Sequence, residues 1–162
     1  RELYQDRIYS KTASLFRTAA ETGAILGNAP EHQVQALTDY GYNMGMAFQI
    51  VDDLLDVQGD PNELGKPVGN DLLQGVLTLP SIMLLERYPE NNPIEAFFRE
   101  RSHSGHLQQA LDMINNSTII VDCYAEIHAY CAKAAQALEI LPDCDARLSL
   151  QNMTDYVCER TR

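Results

Sequence analysis

The stretch Phe48-Gln49-Ile50-Val51-Asp52-Asp53-Leu54-Leu55-Asp56 decides how the rest of the chain is read. Apolar residues step through it and upstream by threes and fours, at Val34, Leu37, Met44, Phe48, Val51 and Leu55, with Gly41 between. That period predicts one long helix with a buried seam. At about 100° per residue, Gln49, Asp52, Asp53 and Asp56 fall within about 100° of arc, beside the seam. Three acids so close repel one another, and they stand near a helix C-terminus, where the dipole also disfavours negative charge. A hard divalent cation relieves both. Mg²⁺ takes one or two carboxylates and fills its other positions with water and substrate phosphates, so it suits an incomplete oxygen cage. An isolated D-D-x-x-D on a helix is ordinarily a solvated acidic face, so the residues around it must decide. A calcium loop beginning at Asp56 is excluded, because its sixth position is Pro61 instead of Gly and its twelfth is Pro67 instead of Glu.

Outward from this stretch, Pro30 opens the long helix and Gly59, Asp60 and Pro61 close it after about Val57. Before it, a helix is predicted from about Glu2 to Leu26, stopped by Gly27 and Asn28. After it, about 20 residues without periodicity run to Thr78, with Gly65, Gly69 and Gly75 spaced along them. Thr78 with Pro80, and Asn92 with Pro93, mark further helix starts. Helices are then expected over about Leu79 to Tyr88, Pro93 to Arg101, Gly105 to Asn116, Thr118 to Leu141 and Ala146 to Arg160. Thr118 to Val121 is the one short run that could read as a strand, and it fits a buried helix equally well. Neither an internal repeat nor a low-complexity tract interrupts the pattern. The expectation is an all-α fold occupying residues 1–162 as one domain.

Composition narrows the function. Of 162 residues, 45% are hydrophobic, enough for one core. Twelve Lys and Arg against 23 Asp and Glu give a formal charge of −11. Such a balance argues against a nucleic-acid partner or an anionic membrane surface. No apolar run approaches the roughly 20 residues of a membrane-spanning helix. Cys123, Cys131, Cys144 and Cys158 form no C-x-x-C pair, and the reading is a reduced, cytoplasmic protein without structural zinc. The histidines read as surface residues, and Tyr124, Tyr130, Cys131 and Leu138 as core. Because Arg1 falls inside a predicted helix, the chain is expected to continue upstream in a longer protein.

An acidic protein that handles an anion needs added positive charge. Gly65-Lys66-Pro67-Val68-Gly69-Asn70-Asp71-Leu72-Leu73-Gln74-Gly75 supplies Lys66 just past the aspartates, in a glycine-spaced loop able to close on a ligand. Lys11-Thr12 adds a second cation and a hydroxyl.

Taken together, Lys11-Thr12-Ala13-Ser14-Leu15-Phe16, Gly45-x-Ala47-Phe48-Gln49-Ile50-Val51-Asp52-Asp53-Leu54-Leu55-Asp56 and Gly65-Lys66-Pro67-Val68-Gly69-x-Asp71-Leu72 resemble the trans-isoprenyl diphosphate synthases. The resemblance covers essentially the whole chain and points to the C-terminal half of that family's domain. It implies an antiparallel helical bundle of the isoprenoid synthase type, usually a homodimer, that joins isopentenyl diphosphate to an allylic diphosphate and gives a longer trans-polyprenyl diphosphate. The Lys-Pro-Val-Gly wording looks more like medium- and long-chain synthases than farnesyl synthases. On this resemblance Asp52, Asp53 and Asp56 form the second aspartate-rich motif and hold Mg²⁺ against the allylic diphosphate. Lys11 and Lys66 are its cationic contacts, and Thr12 and Gln49 the polar residues near the diphosphate and the reacting carbons.

Two departures qualify the match. The family's first aspartate-rich motif has no counterpart here, so the 162 residues alone are expected to be nearly inactive and to contact a missing N-terminal half. Val76 stands where many members carry another lysine. Rival readings are a noncatalytic regulatory subunit of a heteromeric prenyl synthase, which would not need the intact aspartate motif, and a class I terpene cyclase, whose second motif is not spelled by Asp56 and Gly59-Asp60. An acidic helical binding module is a third.

Overall fold

A computed structural model describes residues 1–58, 68–100 and 104–160. Every regular element among them is helical: α1 (Glu2–Ile8), a π-helical turn (Tyr9–Ala13), α2 (Ser14–Leu26), α3 (Glu31–Gln58), α4 (Asn70–Leu73), α5 (Leu79–Arg87), α6 (Pro93–Arg99), α7 (Ser104–Asn115), α8 (Ile119–Leu138) and α9 (Asp145–Glu159). Ile119 to Val121 belongs to the start of α8 and Thr118 to the turn before it, not to a strand. Proline and side-chain caps fix several starts. The Asn92 side chain accepts a hydrogen bond from the Ile94 amide at 2.9 Å with Pro93 in the first turn. At the start of α5 the Thr78 amide donates to Ser81 Oγ at 2.8 Å.

The structure alters three expectations. The predicted first helix is interrupted by the π turn at Tyr9–Ala13, where one extra residue per turn shifts the helix face at Lys11 and Thr12. Its stop uses Asn28 as the left-handed residue, at φ 52°, while Gly27 keeps φ −76°. Part of the expected loop before Thr78 is helical, as α4.

Contacts sort the chain into two compact units, with boundaries inside α3 and α8. One comprises Glu2–Val51 and Ala125–Arg162. Its core includes Tyr4, Ile8, Ala13, Met44, Ile50, Ile127 and Leu138. Here the first helices approach α3 closely. A Cβ on Gly41 would lie 2.6 Å from Phe16 O, and one on Gly45 would lie 2.5 Å from Ala13 Cα, so neither position has room for a side chain. Phe16 and Phe48 pack ring on ring at 5.4 Å, and the Arg160 guanidinium lies 5.3 Å from the Phe48 centroid. Tyr40 Oη donates to Leu150 O of α9.

The other unit comprises Arg1 and Asp52–Tyr124. Leu54, Val57, Leu72, Leu84, Phe97, Leu111, Ile114 and Ile119 are among its buried residues. Arg87 ties α5 to the start of α8 through Thr118 and Asp122. Asn115 of α7 donates to Val57 O, which helps to satisfy the carbonyl end of α3.

The seam expected on α3 is broader than its six named residues. Met44 and Val51 are buried, Val34, Leu37, Phe48 and Leu55 are half-buried, and Ala36, Tyr40, Met46, Ala47, Ile50, Leu54 and Val57 are buried as well. A helix buried over more than one stripe does not show a single narrow apolar face.

Candidate functional site

The π turn and the two glycines of α3 explain how Thr12 meets Gln49. Gly41 and Gly45 precede Gln49 at intervals of four on one face of α3, and the missing Cβ atoms let the Ala13 backbone come against that face. Thr12 Oγ1 then donates to Gln49 Oε1 at 2.5 Å. Gln49 is 2% exposed, so this bond satisfies a polar atom that water does not reach. Lys11, beside Thr12 in the π turn, is exposed.

Continuing along α3, Asp53 follows Gln49 by four residues and Asp56 by seven, which keeps all three on one side of the helix. Asp53 and Asp56 are buried, at 3% and 4% exposure, whereas Asp52 is exposed. A shared position at the edge of the core therefore holds for none of the three aspartates: two lie inside and one outside. Asp56 also has a local task. Its Oδ2 accepts from the Asp71 amide at 3.0 Å and its carbonyl oxygen accepts from the Gly69 amide at 2.7 Å. Gly69 is left-handed, at φ 75°, and leads into α4, so Asp56 anchors the N-terminal end of that short helix.

Gly69 has little spare room either, since an added Cβ would lie 3.2 Å from Leu111. The Asp56–Asp71 link was not foreseen, because a backbone amide looks the same in every residue type.

Among the described residues, no group of three or more His, Cys, Asp or Glu side chains is gathered closely enough to hold a metal ion by itself. The donor set nevertheless suits a hard cation that completes its shell elsewhere, because three carboxylates stand at one helix end, one exposed and two buried. Lys66, expected beside the aspartates, lies outside the described residues, as do Gly65 and Pro67. The histidines are not uniformly bland: His128 of α8 contacts Cys158 of α9, a pairing with no spacing signal because the two residues are 30 apart.

Comparison with known proteins identifies relatives over nearly the whole chain. The polyprenyl synthetase family model matches residues 1–114. A short chain isoprenyl diphosphate synthase of Methanothermobacter thermautotrophicus is 37% identical over 160 residues, covering 98% of this chain and 49% of that protein. Heptaprenyl diphosphate synthase component 2 of Bacillus subtilis is 38% identical over 157 residues, covering 97% and 45%. The crystal structure of heptaprenyl diphosphate synthase from Staphylococcus aureus superposes with a TM-score of 0.92 at 34% identity, covering 98% of this chain and 50% of that one. The chain spans about half the length of the curated relatives it matches.

Proposed function

The chain belongs to the polyprenyl synthetase family and has the all-α fold of the isoprenoid synthases, and from that premise we propose that it supplies the allylic-diphosphate side of a trans-prenyltransferase. The reaction is the condensation of isopentenyl diphosphate with an allylic diphosphate to a longer trans-polyprenyl diphosphate. The observation that carries this reading is the run on α3 in which Gln49, Asp53 and Asp56 share one side and Asp52 reaches solvent beside them.

In this reading Asp52, Asp53 and Asp56 would hold Mg²⁺, which when bound would supply positive charge to the leaving diphosphate. Asp56 also anchors the Gly69–Asp71 turn, through the two hydrogen bonds described above. Lys11 and Lys66 add positive charge to the diphosphate. Thr12 holds the Gln49 amide in a single orientation, which suits a residue that must face a short-lived carbocation without attacking it. The apolar residues flanking these groups on α3 exclude the water that would otherwise trap the cation.

Assembly follows the same reading. Leu3, Leu15 and Leu26 are 86%, 73% and 77% exposed, apolar side chains spread along the first two helices and suited to contact with the N-terminal half of a synthase domain and with a second copy in a homodimer. Among the described residues no helix is long and apolar enough to cross a membrane, and a cytoplasmic location fits the free thiols. The relative named as component 2 favours a second arrangement, assembly with an unlike chain, while the three retained aspartates argue against a purely regulatory role.

Titration calorimetry of the full-length protein with a non-cleavable allylic diphosphate analogue tests the proposal. Uptake is expected with Mg²⁺, and it should be lost with EDTA or in Asp52→Ala. Equal uptake under all three conditions overturns it.

A further inference from the structure

Away from α3, a set of reactive side chains among the described residues lies on α8 and α9. His128 and Cys131 sit one turn apart on α8. Cys158 approaches from α9, with its Sγ 2.8 Å from His128 Nδ1. Cys131 also neighbours Cys158. Cys131 is buried, and burial, together with the neighbouring Cys158, pushes its thiol up to about 12, so it remains protonated at neutral pH. Cys158 is partly exposed and His128 exposed, which opens the group to small solutes from the His128 side.

The arrangement sets a partly exposed thiol between an imidazole and a second thiol, and a base in contact with a thiol is the geometry from which cysteine nucleophiles are built. Packing alone does not call for it, since His128 and Cys158 could each face solvent separately. A metal cage is not the explanation either, because no set of three such ligands among the described residues is gathered closely enough.

We propose that Cys158 is a hydroperoxide-reactive thiol, activated by His128 and resolved by Cys131 into a disulfide joining α8 to α9. His128 takes the Cys158 proton, and the thiolate sulfur attacks the terminal oxygen of the hydroperoxide. The O–O bond breaks, Cys158 becomes a sulfenic acid, and the departing alkoxide leaves as an alcohol, or as water from hydrogen peroxide, with the proton from the imidazolium. The Cys131 sulfur then attacks the sulfenic sulfur, the S–O bond breaks, and the hydroxyl leaves as water with the Cys131 proton. Two thiols are oxidised and one peroxide is reduced.

The test treats the reduced full-length protein with a limiting amount of hydrogen peroxide and maps cysteine states by peptide mass spectrometry. A Cys131–Cys158 linked peptide, lighter by two hydrogens, is expected, with Cys144 unchanged although it is exposed. In Cys131→Ser the sulfenic acid on Cys158 should persist and be captured by a 1,3-dione probe. His128→Gln should slow that capture at least about tenfold. A measurement on the unaltered protein guards against misfolded variants: iodoacetamide should alkylate Cys158 faster than Cys144. Faster alkylation of Cys144, absence of the linked peptide, or an unchanged rate in His128→Gln would each overturn the assignment.

Discussion

Adjacent aspartates on one helix end take different environments, and their replacement should have different effects. Asp52 is exposed, so Asp52→Ala in the full-length protein should lower turnover at least about 100-fold while the melting curve stays unchanged, which steady-state kinetics and circular dichroism would check. A near wild-type rate would remove Asp52 from the metal role. Asp56 sits 4% exposed and accepts the Asp71 amide, so Asp56→Ala leaves that amide without its acceptor and should cost about 1–3 kcal/mol. Asp56→Asn keeps a carbonyl oxygen at the same place and should recover most of the loss in a urea titration. At this scale the acidic motif and Gln49 stand out in the sequence because side-chain type and spacing announce them. The burial difference does not, since Asp52 and Asp53 are one residue apart and what covers Asp53 is not encoded in local spacing.

At the scale of an element, two glycines separate close packing from chain flexibility. Gly45→Ala would place its Cβ 2.5 Å from the Ala13 Cα, a backbone atom that cannot step aside, so a loss of about 1–3 kcal/mol is expected, together with a longer Thr12–Gln49 distance. Gly23→Ala in α2 meets nothing within 4 Å and should instead stabilise by about 0.5–1 kcal/mol, because alanine restricts the unfolded chain and favours the helix. Chemical denaturation of the two variants should therefore shift in opposite directions. Helix starts were legible wherever the signal is local, as with Asn92-Pro93 and Thr78 with Pro80. The π turn was not, because one wide turn displaces the apolar period by a single residue, within the tolerance of any helical pattern.

For the whole molecule, the all-α class followed from apolar period and the placement of Gly and Pro, and the family from three motifs in order. Which residues cluster across the chain was not legible, as His128 with Cys158 illustrates. The net charge of −11 makes diphosphate binding unfavourable without cations. Melting of the full-length protein should therefore rise when Mg²⁺ and an allylic diphosphate analogue are added together, by the equivalent of about 2.7 kcal/mol at a hundredfold excess over Kd. The analogue with EDTA should give no such rise. The Arg160 guanidinium over Phe48, the ring preceding Gln49, bears on how the protein is handled. Losing that guanidinium uncovers the face of an aromatic pair, so an Arg160→Ala preparation should show weakened near-UV dichroism before any helix is lost, and it should be checked that way before its rates are compared.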